Sequence, residues 1–417
     1  MPLRIAAVAY THYESDPRVK REAEALAARG DDVTVFALAS EGRPAEATEN
    51  GVKVVRLAMP RYRGGAAAQY VASYGAFMAR VHLPLIAAHL KARFDVVHIH
   101  TMPDAMVFCA LVPRLSGAKV VLDMHDLMPD LFRVKFEGRV GDAVGTALEL
   151  VQQAATTFAD AVIAVHENQY ELLLDAGVPA HKLAIVMNAA DPTLFPPRKK
   201  EPRVKDEVRV IYHGTVLHRY GCDLAVRAFA KAHAQEPKLT MRMLGGGDYV
   251  GDVRALADSL GLAEPAFSMS GAHVPLEEIA AAIRDAHIGL IPNRDDHVDS
   301  VLPTKLLEYV AVGIPAVAAN TRTIGRFFDG DTVELFEVGD VDAMAEALVR
   351  LARDGARRKA LVAAGRAWEA EYGWDVNRQH LFRTMDALCY EKIAAERKAR
   401  QKAKEGKKTG TIQTPAK

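Results

Sequence analysis

Pro303-Thr-Lys-Leu-Leu-Glu-Tyr-Val-Ala-Val-Gly-Ile-Pro315 is the stretch on which the architecture turns. Proline suits the first position of a helix, where its missing N–H has no intrahelical partner to lose, so a helix is expected to open at Pro303. Lys305 and Glu308 lie three residues apart and share one face of its first turn and a half. Gly313 and Pro315 stop the helix, and Ala316-Val-Ala-Ala319 after them reads as a short buried strand. Free backbone N–H groups beside a lysine suit a phosphate group. A glutamate one turn further in can accept hydrogen bonds from ribose or sugar hydroxyls. The same spacing also fits an ordinary capped helix with a solvated Lys–Glu pair. Upstream, the apolar run 288–292 leads into a polar loop, 293–300, and then into this helix. Strand, loop and helix start form the place where open α/β sheets bind ligands. Arg294, Asp295, Asp296, His297 and Asp299 crowd that loop, a charge run that equally fits a solvated surface.

Outward from there, short β-rich runs alternate with helical segments along the whole chain. Strands are expected at 4–9, 33–38, 52–57, 96–98, 119–123, 161–165 and 183–186. After a break they resume at 208–212, 240–244, 266–270 and 288–291. Helices are expected at 18–29, 223–235, 251–260, 276–284, 342–353 and 357–372. This rhythm means parallel sheets covered by helices on both faces. The break, 191–204, holds four prolines and a Lys/Arg cluster and reads as a linker. The expected plan is therefore α/β: a Rossmann-like domain over 1–190, a linker over 191–204 and a second Rossmann-like domain over 205–372. A helix over 373–390 returns to the first domain, and a basic tail, 391–417, is expected to be disordered.

Composition bounds the rest. The 417 residues exceed one ordinary core, and half are hydrophobic. Lys/Arg and Asp/Glu balance at 53 each, so no global charge argues for nucleic acid. The tail from 391 carries nine Lys/Arg against three Glu, a local surplus of six. Cys109, Cys222 and Cys389 form no recognisable pairing pattern, and the chain opens directly on a strand, which together suggest a reduced cytoplasmic setting. No run of 18 apolar residues suggests a membrane span. The Ala-rich stretch 66–90, interrupted by Arg80, His82 and Pro84, reads as a packed or interfacial helix.

Several segments, in this order, resemble the family 4 glycosyltransferases of the GT-B fold. Ser15-Asp16-Pro17-Arg18-Val19 with Arg29-Gly30-Asp31-Asp32-Val33 resembles the family's opening. Residues 160–165 and Asn188-Ala-Ala-Asp-Pro192 resemble the end of its first domain. His213-Gly214-Thr215 with Gly221, Leu244-Gly-Gly246-Gly-Asp248 and Ser270-Gly271-Ala-His273-Val274 track its nucleotide domain. Pro303-Thr304-Lys305-Leu-Leu-Glu308-Tyr309 matches the subgroup whose donor helix opens Pro-x-Lys-x-x-Glu-Tyr. The likeness runs over roughly residues 3–385.

The resemblance implies a metal-independent hexosyltransferase that retains anomeric configuration, with no cofactor beyond its nucleotide-diphosphate sugar. It also implies an acceptor domain first, a donor domain second and a cleft between them. Gly214, Gly246 and Gly271 would let the donor approach the backbone. Thr215, Arg219, His273, Leu302, Pro303 and Thr304 would complete the donor site. Ser300 stands where the family often has a first glutamate, eight residues before Glu308. Thr215 and Tyr220 stand where it often has Arg and Lys, leaving Arg219 or His218 to supply charge and Lys305 as the surest cation at the diphosphate. Asp16, Arg18 and Asp126 fall on the acceptor side. His125 ends a strand and is expected near the reacting carbon, whereas His98 and His100 share a strand face and read as framework. A glycan or lipid-linked glycan acceptor follows, with contact of the tail and the 66–90 helix with an anionic membrane at the cytoplasmic face. Two rivals remain: a sugar-nucleotide epimerase or hydrolase on the same fold, and a non-catalytic nucleotide-sugar-binding protein. Asp340 and Asp342, the nearest approach to an Asp-x-Asp metal site, sit at a helix start and suit capping.

Overall fold

A computed structural model describes residues 2–62, 67–135, 139–202, 207–294, 301–390 and 393–394. Ser300, most of the 293–300 loop and nearly all of the basic tail lie outside the described residues.

Contacts divide the chain into two units. One takes the residues up to Val186 together with the chain from Arg378, and the other takes Met187–Asn377. The first is built on β1 (Arg4–His12), β2 (Asp32–Leu38), β3 (Glu46–Glu49), β4 (Val52–Leu57), β5 (Val96–His100), β6 (Lys119–Met124), β7 (Ala161–Ala164) and β8 (Leu183–Ile185). Their order in the sheet is β3-β4-β2-β1-β5-β6-β7-β8, parallel throughout except for the antiparallel edge strand β3. Central strands such as β5 and β7 are buried at every position, as a sheet covered on both faces requires. Strand β3, Glu-Ala-Thr-Glu, alternates between exposed and half-buried and has no apolar run, which is why it is missing from the strands expected above.

The second unit is wholly parallel. It comprises β9 (Val208–His213), β10 (Leu239–Leu244), β11 (Phe267–Met269), β12 (Ile288–Ile291), β13 (Ala316–Ala319) and β14 (Glu334–Phe336), in the order β11-β10-β9-β12-β13-β14. Each sheet therefore reverses direction once, between β1 and β5 in the first and between β9 and β12 in the second. Such reversals leave a crevice at the carboxyl ends of the two strands.

Local chemistry fixes the elements that matter. Asp16 accepts the Val19 N–H and caps the helix Pro17–Arg29, which ends on Gly30 in the left-handed region. The helix expected to open at Pro303 begins one residue later, at Thr304–Val312, with Pro303 as its extended N-cap and no side chain capping it. Pro315 leads into β13 as expected. The segment 191–202 is not free-running: the Arg198 N–H donates to the Val312 carbonyl at 2.8 Å, and Arg198 is buried in the second unit. The helix Trp374–Leu388 starts in the second unit and continues, from Arg378, with the first.

Candidate active site

The carboxyl edge at the β9/β12 reversal gathers most of the expected donor residues. Gly214 follows β9 with φ at +111°, and the Lys305 Nζ comes within 3.5 Å of where its Cβ would stand. The tight glycine in the next turn is Gly245 rather than Gly246. At φ +145°, a Cβ on Gly245 would stand 1.8 Å from the Gly214 carbonyl oxygen. Gly246 packs against Ala272 and the backbone of His273, whose side chain is exposed, and Gly271 abuts Arg254.

Lys305 projects from the first turn of Thr304–Val312 into a wall of tyrosines. Its Nζ donates to the Tyr212 hydroxyl at 3.2 Å and stands 4.3 Å from the centre of the Tyr212 ring and 4.9 Å from that of Tyr220. Burial lowers its pKa to about 8, against the opposing pull of Cys222 and Glu308. The Tyr212 hydroxyl in turn donates to the Thr215 carbonyl at 2.8 Å, so Thr215 contributes backbone, its side chain being exposed. Arg219 is exposed and stands 5.0 Å from the Tyr220 ring, so two cations share one aromatic face-partner. Leu302 and Pro303 are buried beneath the turn, and Thr304 is exposed at the uncapped helix start.

Glu308, one turn beyond Lys305, lies 3.1 Å from His213 Nε2. His213 ends β9 almost fully buried and meets the Tyr309 ring edge-on at 5.3 Å. In the sequence His213 stands out only as part of the glycine turn. The signal available was its place at a strand end, one residue before that turn. Arg294 was seen only as part of a charge run. It ties the loop after β12 to the 218–220 turn, donating to the His218 carbonyl and to Asp223 Oδ2 at 2.6 Å.

In the first unit, a buried charge network underlies His125. Arg18 was expected to face an acceptor. Its guanidinium is instead committed inward, to Asp123 at 2.8 and 3.2 Å, to Glu22 at 3.2 Å and to the Val186 carbonyl at 3.1 Å. Asp16, likewise expected there, serves as the helix cap described above. His98 Nε2 and His100 Nδ1 approach Asp123 Oδ2 at 3.4 and 3.3 Å, and His100 Nδ1 lies 3.2 Å from His125 Nε2. His98 and His100 are thus the framework expected, and through His100 they reach the His125 ring. The His125 N–H donates to Thr101 Oγ1 at 3.1 Å, and its ring keeps partial exposure. Asp126, expected to orient that ring, is half-buried beside it, while the carboxylate placed against Nε2 is Asp123, at 3.7 Å.

Charge in this network is sorted by its surroundings. Burial works to raise the Asp123 carboxyl, but the Arg18 guanidinium and its histidine neighbours outweigh it and hold Asp123 well below the usual range. Burial, with Asp123 adding to it, pushes Glu22 well above that range. Burial and then His98 drop His100 to about 3. The result is an ion pair, Arg18 with Asp123, beside a Glu22 and a His100 whose surroundings favour their neutral forms. Glu22, His98, His100 and Asp123 could otherwise hold a cation, but the Arg18 guanidinium already lies against both carboxyl groups. At the other end of the chain, Asp340 caps the helix Val341–Arg353 and Asp342 pairs with Lys231.

Comparison with known proteins matches this division. Residues 15–189 fit the glycosyl transferase 4-like domain, and residues 207–354 fit the glycosyl transferases group 1. The chain belongs to the GT4-type glycosyltransferases. It is 25% identical over 386 residues to phosphatidyl-myo-inositol mannosyltransferase of Mycobacterium leprae, covering 88% of this chain and 91% of that protein. It is 29% identical over 217 residues to a GDP-mannose-dependent α-(1-6)-phosphatidylinositol monomannoside mannosyltransferase of Mycolicibacterium smegmatis, over 51% of this chain and only 54% of that protein's length. Among solved structures, sucrose-phosphate synthase from Thermosynechococcus elongatus superposes with a TM-score of 0.73 at 20% identity, covering 94% of this chain and all of that one. The α,α-trehalose 6-phosphate synthase of Burkholderia multivorans gives 0.70 at 14% identity, over 95% and 98%. The fold of this GT4-type chain is accordingly GT-B, two Rossmann-like domains.

Removing Arg18 leaves Asp123 buried without its cation, a change that typically costs about 3–5 kcal/mol. Asp123, held low in the native protein, contributes stability that is present above the ordinary carboxyl range and lost as pH falls through its native pKa. In Arg18→Leu that contribution is gone and Asp123 takes a proton readily. The deficit, read as the urea midpoint of the first unit's transition, should be large at pH 7 and smaller at pH 5. A deficit that does not change with pH would remove Asp123's charge from the account.

Proposed function

We propose that the chain transfers a hexosyl group from a nucleoside-diphosphate sugar to a hydroxyl of a glycan or lipid-linked acceptor, with retention and without a divalent metal. One observation carries the reading. An enclosed ammonium, Lys305, stands at the uncapped N-terminus of Thr304–Val312, one turn before a carboxylate and beside the glycine turn at the sheet's reversal. Free N–H groups, the helix dipole and Lys305 are the parts needed to hold a leaving diphosphate. Glu308, whose Oε2 stands 3.1 Å from His213 Nε2, offers its carboxylate to a sugar hydroxyl. His125, backed by His100 and Asp123, positions a reactant rather than acting as base, and the leaving phosphate takes the acceptor's proton. The names of the two mycobacterial relatives make GDP-mannose the first donor to try and phosphatidylinositol glycolipids the first acceptors.

In kinetics with donor and acceptor, Lys305→Ala should lower kcat about 10²–10³-fold, because charge builds on the diphosphate as the glycosidic bond breaks. Glu308→Gln should chiefly raise the donor KM. His125→Ala should fold, bind donor and transfer at least tenfold more slowly, consistent with the cost of misplacing a reactant. Activity should persist in EDTA. Parental turnover in all three variants would place the site elsewhere. Loss in EDTA with rescue by Mn²⁺ would overturn metal independence. Donor consumption without acceptor would favour the epimerase or hydrolase.

We further propose that the enzyme works at the cytoplasmic face of an anionic membrane. The helix Gln69–Lys91 is long and apolar enough to cross a bilayer by length and composition alone. It nevertheless turns Tyr74, Phe77, Val81 and Leu85 into the core of the first unit. Val71, Leu83 and Leu90 stay 65%, 72% and 74% exposed, which suits a helix lying in the headgroup layer. Each Lys or Arg of the tail adds roughly 1 kcal/mol near such a surface. Sedimentation with anionic vesicles should weaken in Leu83→Glu/Leu90→Glu and in a chain ending at residue 390. Equal sedimentation of both with the parent would remove the membrane from the proposal.

A further inference from the structure

The second unit carries another concave surface, away from the candidate donor site. Helix Thr304–Val312 starts at the carboxyl edge of its sheet and, nine residues later, ends at Gly313 near the start of β13. At 1.5 Å per residue that is a separation of about 13 Å, from one edge of the sheet toward the other. There Gly313 and Pro315 help line a cavity of about 580 Å³, whose remaining wall is mostly cationic: Arg198, Lys199, Lys200, Arg358, Lys359 and Arg366. The Lys/Arg cluster that marked the interdomain break in the sequence supplies half of it.

The positive charge there is largely uncompensated. Among the described residues Glu201 is the one acidic residue in the lining, and its Oε1 is taken by Arg358 at 2.7 Å. Arg358 Nη1 also donates to the carbonyls of Leu351 and Ala352, so much of this guanidinium is engaged in structure. Arg198 is 8% exposed, yet its Nη1 meets only a carbonyl, that of Ala286 at 2.7 Å. Arg366 reaches the Arg198 carbonyl at 3.5 Å. Among the described residues, Arg198, Lys199, Lys200, Lys359 and Arg366 have no carboxylate within ion-pair distance. Burial drops the Arg198 pKa to about 10, and Arg358 and Arg366 push the same way against Glu201. Like charges gathered around a buried guanidinium in a cavity are tolerated at a cost that an anion would remove.

We propose that this cavity is a second anion site that binds a ligand carrying two or more phosphate charges. Its volume lies within the usual range for small-molecule sites. Guanidinium forks match phosphate oxygens two at a time, and the exposed lysines add mobile point charges. The same chemistry is met by a free polyphosphate or phosphate ester and by a phosphomonoester lipid headgroup. The inference does not depend on sugar transfer.

Titration with inorganic pyrophosphate tests it, in a Lys305→Ala background so that the candidate donor site is silenced. Pyrophosphate should still bind at one equivalent, should weaken with added salt, and should lose at least tenfold in affinity in Lys359→Gln/Arg366→Gln. Both substitutions fall on exposed side chains, so the fold should persist. Vesicles bearing a phosphomonoester lipid form the second arm. Loss of vesicle binding in the same double variant supports the site with a membrane source, and pyrophosphate binding alone supports it with a soluble one. Three results overturn it: binding abolished by Lys305→Ala alone, affinity unchanged by the double variant, or retention of an oligonucleotide with neither pyrophosphate nor vesicles bound.

Discussion

A lysine ammonium held against two tyrosine rings at the reversal point of a parallel sheet is the interaction on which the functional reading depends. Lys305 can stand there because Gly214 leaves room beside it and because Gly245 allows the next turn to close onto the Gly214 carbonyl. Tyr212, the last residue but one of β9, supplies both a hydroxyl and a ring to the ammonium. Such a site carries a cost without an anion, since partial burial strips water from the ammonium and returns one hydrogen bond and two ring contacts. That cost is the reason its pKa falls, and it is recovered when a diphosphate arrives. The arrangement is poised for an anion in a way that a solvated lysine is not.

The first unit solves a different problem with opposite means. There an ion pair, Arg18 with Asp123, is enclosed, and beside it the Glu22 carboxyl oxygens and His98 Nε2 have no hydrogen-bond partner among the described residues. Its effect is orientation. Asp123 Oδ2 stands against the His98 and His100 rings, His100 meets the His125 ring, and Thr101 holds the His125 backbone. A buried pair of this kind contributes little to net stability but penalises strongly the loss of either partner. It therefore specifies where the end of β6 sits.

Much of this was legible in the sequence. Apolar runs and their spacing located the parallel strands, and Pro303, Gly313 and Pro315 bounded the helix Thr304–Val312 to within a residue. Lys305 and Glu308 emerged because helical spacing is a local property. What stayed hidden was non-local. Arg18 finds Asp123 across 105 positions, and nothing near Arg18 announces that it turns inward. His213 and Glu308 come from β9 and from a helix 95 residues later, so their pairing needs the sheet order. Strand β3 escaped because an edge strand with one polar face and no apolar run lacks the signature of a buried one. The start of this helix moved from Pro303 to Thr304 because the proline takes extended angles, ψ 120°, and serves as the cap.

Proton uptake on binding a nucleoside diphosphate tests the central claim most directly. With Lys305 near pKa 8 in the free protein, the ammonium is mostly deprotonated at pH 9 and must regain its proton to meet the diphosphate. Titration calorimetry with GDP or UDP at pH 9, in buffers of different ionisation enthalpy, should therefore show uptake approaching one proton per nucleotide, and the uptake should vanish in Lys305→Met. Heats that do not depend on the buffer, or the same uptake in the variant, would contradict the assignment of Lys305 to the diphosphate.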